Sequence, residues 1–442
     1  MKRSTTSLIC GAALLALSGC SLFGGGGDKK STPTLGDRVA ILGAESDAVV
    51  DPALASVPVV LPAPVANDSW AQPGGNAAKN PAQLALGQSL SRVWTANIAG
   101  ASNRERLAAA PVIADGRLYV VDTNAKVRAF DAATGSPVWT HELPSSGSGS
   151  ASFFGGGVSV DGSSVYATDG LGDVAALDIA TGAEKWRVRP AGPMRGAPTL
   201  ANNNVYVMTQ DNQIYALDPA TGKTNWNKSG TIGQSGIFGV AAPAAAQGTV
   251  IAGYSTGELA AYRYENGQDL WTDALSRTSI STSVSSLTDI DADPVIDRGR
   301  VYAIGQGGRM AAYELISGQR IWEINIAGIA TPVVAGDWVF VLTDDAKLLA
   351  VARTTGKIRW VSQLPEYRKA KKKEDPIDWK GPVLAGGRLI VASTRGGVWS
   401  VDPQDGTATE MFDLGESVSV SPVVANQTLY LLDDSGRISA YR

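Results

Sequence analysis

The chain is built from short apolar runs separated by turn residues, and Ala197–Trp226 shows this pattern at its clearest. The runs APTLA, VYVMTQ and QIYALD are rich in β-forming residues, and polar Asn and Asp turns separate them. A further turn, PATG, leads into a fourth run that carries Trp226. Runs of this length between turn residues predict strands. Four short strands cannot bury their own faces, so neighbouring copies of the unit must cover one another.

One motif of eleven residues recurs along the chain. It consists of a small residue, an apolar residue, Asp, two spacers, Thr-Gly, three spacers and Trp. Gly permits a positive φ in the turn, Asp and Thr can hydrogen-bond the backbone of the turn, and Trp can bury a flat face against the next unit. The motif therefore predicts structure rather than catalysis. Its copies are residues 129–139, 176–186 and 216–226, the looser 261–271, 312–322 and 350–360, a seventh copy at 400–410 with Glu410 in place of Trp, and an eighth that reaches Tyr441.

The spacing of the tryptophans predicts the architecture. Trp94, Trp139, Trp186, Trp226, Trp271, Trp322 and Trp360 are separated by 45, 47, 40, 45, 51 and 38 residues. Such a period with four strands per unit is typical of an all-β fold, the β-propeller, here with eight four-stranded antiparallel blades. Trp94 lies in a lone strand before the first complete repeat, and the eighth repeat lacks its last strand. We therefore expect the N-terminal strand to complete the last blade.

The repeats resemble those of the quinoprotein-type propellers, which carry the same docking motif. The resemblance covers about residues 85–442. It implies the fold but not the function, because enzymes and scaffolds share this architecture.

The first twenty residues indicate export. Lys2 and Arg3 precede an apolar stretch, Leu8–Leu17, that is too short to span a membrane as a permanent helix. Residues 17–20, Leu-Ser-Gly-Cys, resemble a bacterial lipobox, which implies acylation of Cys20; Ser21 then favours the outer membrane. An ordinary signal peptide or a cytosolic start is the alternative. We expect a lipoprotein signal peptide at 1–19, a tether and extended strap at 20–84 and the propeller at 85–442, anchored at the periplasmic face of the outer membrane.

Candidate chemistry is sparse. His141 is the only histidine, and no thiol remains if Cys10 is removed and Cys20 is acylated. Neither a Ser-His-Asp arrangement nor an ordinary zinc site can be built from such a set. Asp289, Asp291 and Asp293 alternate as in a calcium loop, but Pro294 and Arg300 replace the required Gly and Glu. A net charge of −4 gives no case for nucleic acid. We predict no catalytic residue, cofactor or metal.

Two polar insertions lie between repeats. Residues 273–291 are rich in Ser and Thr, and residues 366–380 contain the basic run YRKAKKKE. Such runs are usually solvated loops, and contact with a partner or with anionic lipid is the alternative.

The combination of lipobox, tether, eight repeats and closing strand also resembles the BamB family, lipoproteins of the machinery that inserts outer-membrane β-barrels. Residues 286–294, SLTDIDADP, are similar to the family's Leu-x-Asp-Val-Asp-x-x-Pro segment. The resemblance implies that Asp289 and Asp291 bind the periplasmic domains of the barrel protein BamA. The family's second contact loop corresponds to residues 234–239, with Ile237 at the tip and Phe238 where the family often has Arg. The alternative is that the two acids cap turns and Phe238 is buried between blades.

We therefore expect a non-enzymatic scaffold that docks a BamA-like protein and aids the insertion of outer-membrane proteins. Edges of outer blade strands could also receive nascent outer-membrane strands by strand addition. The alternatives are a quinone-dependent dehydrogenase and a periplasmic propeller that binds a small ligand or glycan. The alcohol-oxidising quinoproteins carry an adjacent-cysteine disulfide over the cofactor, and this chain has no such pair.

Overall fold

A computed structural model describes residues 48–102, 105–143, 155–231, 239–275 and 288–442. Strands and turns dominate these ranges, and the only helices in them are two three-residue 3-10 turns, Pro52–Leu54 and Ala370–Lys372. The strands, numbered β1 to β34 in chain order, have the bounds that follow.

Strands β1 to β17 are Arg92–Asn97, Val112–Ala114, Arg117–Val121, Lys126–Asp131, Pro137–Glu142, Gly156–Asp161, Ser164–Asp169, Val174–Asp178, Glu184–Val188, Thr199–Ala201, Asn204–Met208, Gln213–Leu217, Thr224–Ser229, Ala244–Ala246, Thr249–Gly253, Glu258–Arg263 and Asp269–Ala274. Strands β18 to β34 are Val295–Asp297, Arg300–Gly305, Arg309–Glu314, Arg320–Ile324, Val333–Ala335, Trp338–Leu342, Lys347–Ala352, Ile358–Gln363, Tyr367–Lys369, Glu374–Pro376, Trp379–Ala385, Arg388–Ser393, Gly397–Val401, Ala408–Asp413, Val423–Ala425, Thr428–Leu432 and Arg437–Tyr441.

These strands form eight four-stranded antiparallel sheets, which confirms the predicted eight-bladed propeller. Blades 1 to 6 take consecutive groups of four strands from β2 to β25, and blade 7 takes β28 to β31. Blade 8 contains β32 to β34 and is completed by β1, so the N-terminal strand closes the ring as predicted. In that pairing Trp94 lies opposite Ala440 and Asn97 opposite Arg437. The first strand of each blade is its inner strand, and the fourth is its outer strand.

The repeated motif docks each blade onto the next. In the turn of blade 1, one carboxylate oxygen of Asp131 accepts hydrogen bonds from the backbone N–H and the hydroxyl of Thr134. Gly135 has a φ of +73°, and a Cβ on it would lie 2.5 Å from the ring of Trp94 in blade 8. The glycine is therefore required twice, by its backbone conformation and by the tryptophan that covers it. Both roles agree with the sequence prediction.

The indole N–H groups find backbone carbonyls, as expected for buried tryptophans. Trp226, for example, donates to the carbonyl oxygen of Tyr264 at 2.8 Å. Glu410 replaces the tryptophan that would cover a turn of blade 8. That blade has no turn between its third and fourth strands, because its fourth strand is β1. Phe412 stacks there on Tyr441 instead, with ring centroids 4.5 Å apart. The exception in the repeat thus lies at the point where the ring closes.

Residues 48–86, named the strap, run across the ends of the inner strands and contact every blade. Main-chain pairing joins Trp70 to Ile113 in blade 1, and the carbonyl oxygens of Ala77 and Ala78 accept from blades 4 and 5. The contacts with the other blades involve Ala71 with Val160, Gln72 with Leu200, Val50 with Ile358, Leu84 with Leu384 and Asn67 with Val424. The strap belongs to one compact unit with the propeller, residues 45–442.

The two faces of the ring therefore differ. The face that the strap crosses carries the C-terminal ends of the inner strands and the Thr-Gly turns. It is named the strap face. The opposite face carries the connections between successive blades and is named the connection face. Apolar side chains fill the space between blades in clusters of the described residues, such as the one around Trp94, Ile113 and Tyr430.

Candidate functional site

The predicted acids Asp289 and Asp291 lie on the connection face, in the segment that leads from blade 4 into blade 5. Asp289 is buried, with 2% of its side chain exposed, whereas 14% of the Asp291 side chain is exposed. Ile237 and Phe238 lie outside the described residues, as does Cys20.

A buried arginine joins the two acids. The Arg195 guanidinium donates through Nη2 to Oδ1 of Asp289 at 2.8 Å and lies 3.7 Å from Oδ1 of Asp291. The side chain of Arg195 is completely buried. A buried guanidinium needs such partners, because an unpaired charge in the interior is costly. The cluster therefore fixes the connection into blade 5 against the connection into blade 3, from which Arg195 comes.

The middle connection is tied to the same segment. The backbone N–H of Val240 donates to Oδ1 of Asp291 at 2.5 Å, and that of Ala242 donates to Oδ1 of Asp293 at 2.7 Å. Charge-assisted bonds of this kind are stronger than neutral ones. The carboxylates at every second residue of this segment thus bind the two preceding connections, so that three neighbouring connections are held together. The acids do more than cap local turns.

Gly239 leaves room for this arrangement. A Cβ at residue 239 would lie 2.1 Å from Nη2 of Arg195 and 2.7 Å from Oδ1 of Asp291. No other residue fits there without displacing the ion pair. The sequence analysis noted only that the resembled family often has Arg at the position of Phe238, which lies outside the described residues. It did not foresee that Arg195, from the preceding connection, meets the two acids.

Burial shifts the pKa values of two of the acids and of a neighbouring lysine. It raises the pKa of Asp291 to about 6, although Arg195 and the Val240 N–H favour the charged form. Burial also raises the pKa of Asp293. Beside it, burial lowers the pKa of Lys79 in the strap to about 8, against the opposing effect of Asp293. Lys79 donates to Oγ1 of Thr199 at 2.9 Å, so its ammonium group is held by the inner strand of blade 3.

Asp291 and Asp293 line a cavity of about 200 Å³ at the centre of the ring. Strap residues, among them Trp70 and Lys79, also line it, together with the segments that begin the inner strands. Small-molecule sites usually enclose about 300–1,000 Å³. A cavity of this size gives little support to a glycan or quinone ligand in the channel, the alternative considered from sequence.

The substitution Asp291→Asn should change how stability depends on pH. The pKa of this carboxyl is about 6 in the folded protein against an ordinary 3.8, so the folded state holds the proton more tightly than the unfolded chain. The resulting stabilisation is fully present below about pH 4 and is lost as the pH rises through about 6, with a range of at most about 3 kcal/mol. Relative to the native chain, the Asn variant should therefore gain stability between pH 4 and pH 7. Urea unfolding across this range measures the difference, and a difference independent of pH would contradict the assignment.

Other candidate chemistry stays apart from this cluster. His141 lies on the outer strand of blade 1, where Nε2 is 3.4 Å from a carboxylate oxygen of Glu184 in blade 2. Within the described residues, no three His, Cys, Asp or Glu side chains converge on a point that could hold a metal. None of the helices in these residues is long and apolar enough to cross a membrane.

Comparison with known proteins identifies the family. The profile described as "Outer membrane protein assembly factor BamB" matches residues 85–152 and 124–362, which together cover more than half of the chain. The chain belongs to the BamB family. The assembly factor BamB of Yersinia pestis is 26% identical over 355 residues, covering 79% of this chain and 88% of the relative. That of Escherichia coli K12 is 25% identical over 332 residues, covering 74% and 82%.

Solved structures share the fold. The crystal structure of BamB from Moraxella catarrhalis matches with a TM-score of 0.64 and 20% identity, covering 80% of this chain and 97% of that one. Quinohemoprotein alcohol dehydrogenase from Comamonas testosteroni has the same TM-score at 14% identity, covering 85% of this chain and 80% of the enzyme. Likeness at this level concerns architecture alone. The relatives named as BamB are assembly factors, and membership of this family supports a role in outer-membrane protein assembly.

Proposed function

We propose that this chain is a non-enzymatic scaffold of outer-membrane protein assembly that docks the periplasmic domains of a BamA-like barrel protein on its connection face. The observation that carries the proposal is the Asp291 carboxylate, which stays partly exposed while Arg195 and the Val240 N–H hold it in place. A fixed, partly desolvated charge is a suitable anchor for a cationic side chain of a partner. Membership of the BamB family supports the biological setting.

The two acids have different parts in this proposal. Asp291 contacts the partner directly, because part of its side chain is exposed. Asp289 is buried and bound to Arg195, so it acts by positioning the connection. Ile237 and Phe238, in the adjacent connection, would supply the apolar part of the interface. Apolar anchors beside a fixed charge are typical of binding hot spots.

Cys20 is the proposed site of lipidation, which would place the propeller at the periplasmic face of the outer membrane. The docked barrel protein would then be held in a constant orientation while client proteins are inserted. Strand addition of clients at the outer strands is less favoured. An outer strand such as Glu184–Val188 carries charged residues along its exposed edge, and such charges discourage pairing with another chain.

A pull-down tests the partner. Full-length protein with a C-terminal tag is purified in mild detergent from its own envelope, and the recovered proteins are identified by mass spectrometry. We expect a large outer-membrane barrel protein with periplasmic domains. Recovery of the tagged chain without such a protein would reject the proposal.

Within that experiment, Asp291→Asn should weaken binding of the barrel protein at least about thirtyfold and so reduce its recovery, because the loss of one charge from a desolvated pair costs about 2 kcal/mol or more. The Asn side chain can still accept from Val240, so the connection should keep its conformation. Asp161→Asn is the matched control, since Asp161 is an exposed acid on the strap face. Equal recovery with both variants would exclude Asp291 from the interface. Arginine at residue 289 is a poor test, because it would face buried Arg195.

A further inference from the structure

A basic hairpin rises from the connection between blades 6 and 7, and the docking proposal does not use it. Its strands, Tyr367–Lys369 and Glu374–Pro376, are antiparallel and are joined by the 3-10 turn Ala370–Lys372. Four exposed cationic residues form what we name the basic tip: Arg368, Lys371, Lys372 and Lys373.

The base of the hairpin is anchored to the propeller. The indole of Trp379, which is buried, donates to the carbonyl oxygen of Pro365 at 3.0 Å. The backbone N–H of Ile377 donates to the carbonyl oxygen of Glu366 at 2.8 Å, and Nε of Arg395 donates to that of Pro376 at 3.2 Å. The basic tip is therefore carried by a fixed support.

The charge of the basic tip is not neutralised locally. Lys369 at the base pairs with Glu374 at 3.2 Å and with Asp375 at 3.4 Å. In the part of the chain that the structure describes, none of the four residues of the tip makes an ion pair. The whole chain has a net charge of −4, so the tip is a local concentration of positive charge on an acidic protein.

The shape of the tip favours a broad anionic surface over a pocket. A 3-10 turn has three residues per turn, so the consecutive lysines at 371, 372 and 373 point in different directions around the tip. No residue of the 3-10 turn is buried. A layer of phospholipid headgroups can meet cations on all these sides at once.

The position of the tip points to the same occupant. The described chain joins the propeller at Val50, which bridges to Ile358 at the start of the outer strand of blade 6. The hairpin connection follows Gln363, at the other end of that strand. Only 27 residues separate Cys20 from Ala48, and a chain of that length spans at most about 100 Å. An acyl group on Cys20 would thus keep the whole propeller, the basic tip included, within that distance of a bilayer.

We propose that the basic tip binds the anionic phospholipid surface of the membrane that carries the lipid anchor, and so sets the orientation of the propeller against the bilayer. The proposal rests on the proposed anchoring at Cys20 for its setting and is independent of the docking at Asp291.

Vesicle flotation tests it with the mature-length chain, residues 21–442, produced without the acyl group. We expect binding to phosphatidylcholine vesicles that contain phosphatidylglycerol, no binding to pure phosphatidylcholine vesicles, and release between about 50 mM and about 500 mM salt. Each basic residue near an anionic surface strengthens binding about fivefold, so Lys371→Gln, Lys372→Gln and Lys373→Gln together should weaken it about a hundredfold.

The matched control changes the same charge elsewhere, with Lys223→Gln, Arg263→Gln and Arg298→Gln, three exposed cations on other blades. It should bind vesicles like the native chain. An equal loss in the control would overturn the proposal, because net charge alone would then explain binding. Absence of binding to anionic vesicles would also overturn it, even if the tip variant recovers less barrel protein in the pull-down. A loss of vesicle binding with normal recovery of the barrel protein would support the lipid contact and leave the docking proposal intact.

Discussion

Arg195→Met should destabilise the protein by about 3–5 kcal/mol, because it leaves the buried carboxylate of Asp289 and the largely buried one of Asp291 without their cation. Met has a similar length and keeps most of the packing, so the effect reports on charge. Urea unfolding at neutral pH, followed by tryptophan fluorescence, measures it. The same variant should recover little barrel protein, since the connection that presents Asp291 would lose its support.

Two further variants test whether the loss of stability comes from the unpaired buried charges. Arg298→Met removes an exposed arginine, with 68% of its side chain accessible, and should change stability by less than about 0.5 kcal/mol. Combining Arg195→Met with Asp289→Asn and Asp291→Asn removes the unpaired charges as well, and should restore much of the loss. If Arg195→Met alone unfolds like the native chain, the ion pair does not hold the connections together.

Trp226→Ala should cost about 3–5 kcal/mol, the usual range for removal of a buried tryptophan. The ring covers Gly267 of the next blade and lies 5.8 Å and 6.1 Å from the rings of Tyr206 and Tyr262. Its loss opens a cavity between blades 3 and 4 and frees the carbonyl oxygen of Tyr264. Thermal unfolding followed by far-ultraviolet circular dichroism measures the change.

Trp226→Phe separates the two contributions, because it retains the ring contact but loses the indole hydrogen bond. It should cost about 1 kcal/mol from the hydrogen bond plus a smaller packing term. Ile321→Ala, at a residue of an outer strand that is 38% exposed, serves as the control and should cost less than about 1 kcal/mol. A loss for Trp226→Ala no larger than that of the control would mean that the motif does not couple the blades.

The propeller was predictable because the residues that shape each blade lie close together in the sequence. The three regular copies of the motif hold their own turns through Asp and Thr, and the glycines and tryptophans of the motif act between adjacent repeats. The closing strand was also predictable, since Trp94 stood alone before the first repeat and the eighth repeat lacked a strand. Period and turn chemistry therefore predicted the blade count and the closure.

The candidate site was predictable only in part. A resemblance pointed to Asp289 and Asp291, but no local pattern shows that Arg195, 94 residues earlier, would lie between them. An arginine before the Gly-Ala-Pro that begins an inner strand was the only signal, and a single residue has no periodicity. Burial of Asp289 was equally hidden, because it follows from how three connections pack. The path of the strap could not be predicted from local sequence either, because its contacts are spread over all eight blades.

Closure of the ring by β1 and β34 has a consequence for the order of folding. The strand at residues 92–97 pairs only when residues 437–441 are present, 340 residues later. A chain that is synthesised N-terminus first must therefore keep this strand unpaired until the last blade is complete, a delay typical of non-local pairing. Loss of residues 437–441 would remove the strand opposite Trp94, so a change at one end of the propeller sequence would expose a tryptophan at the other end.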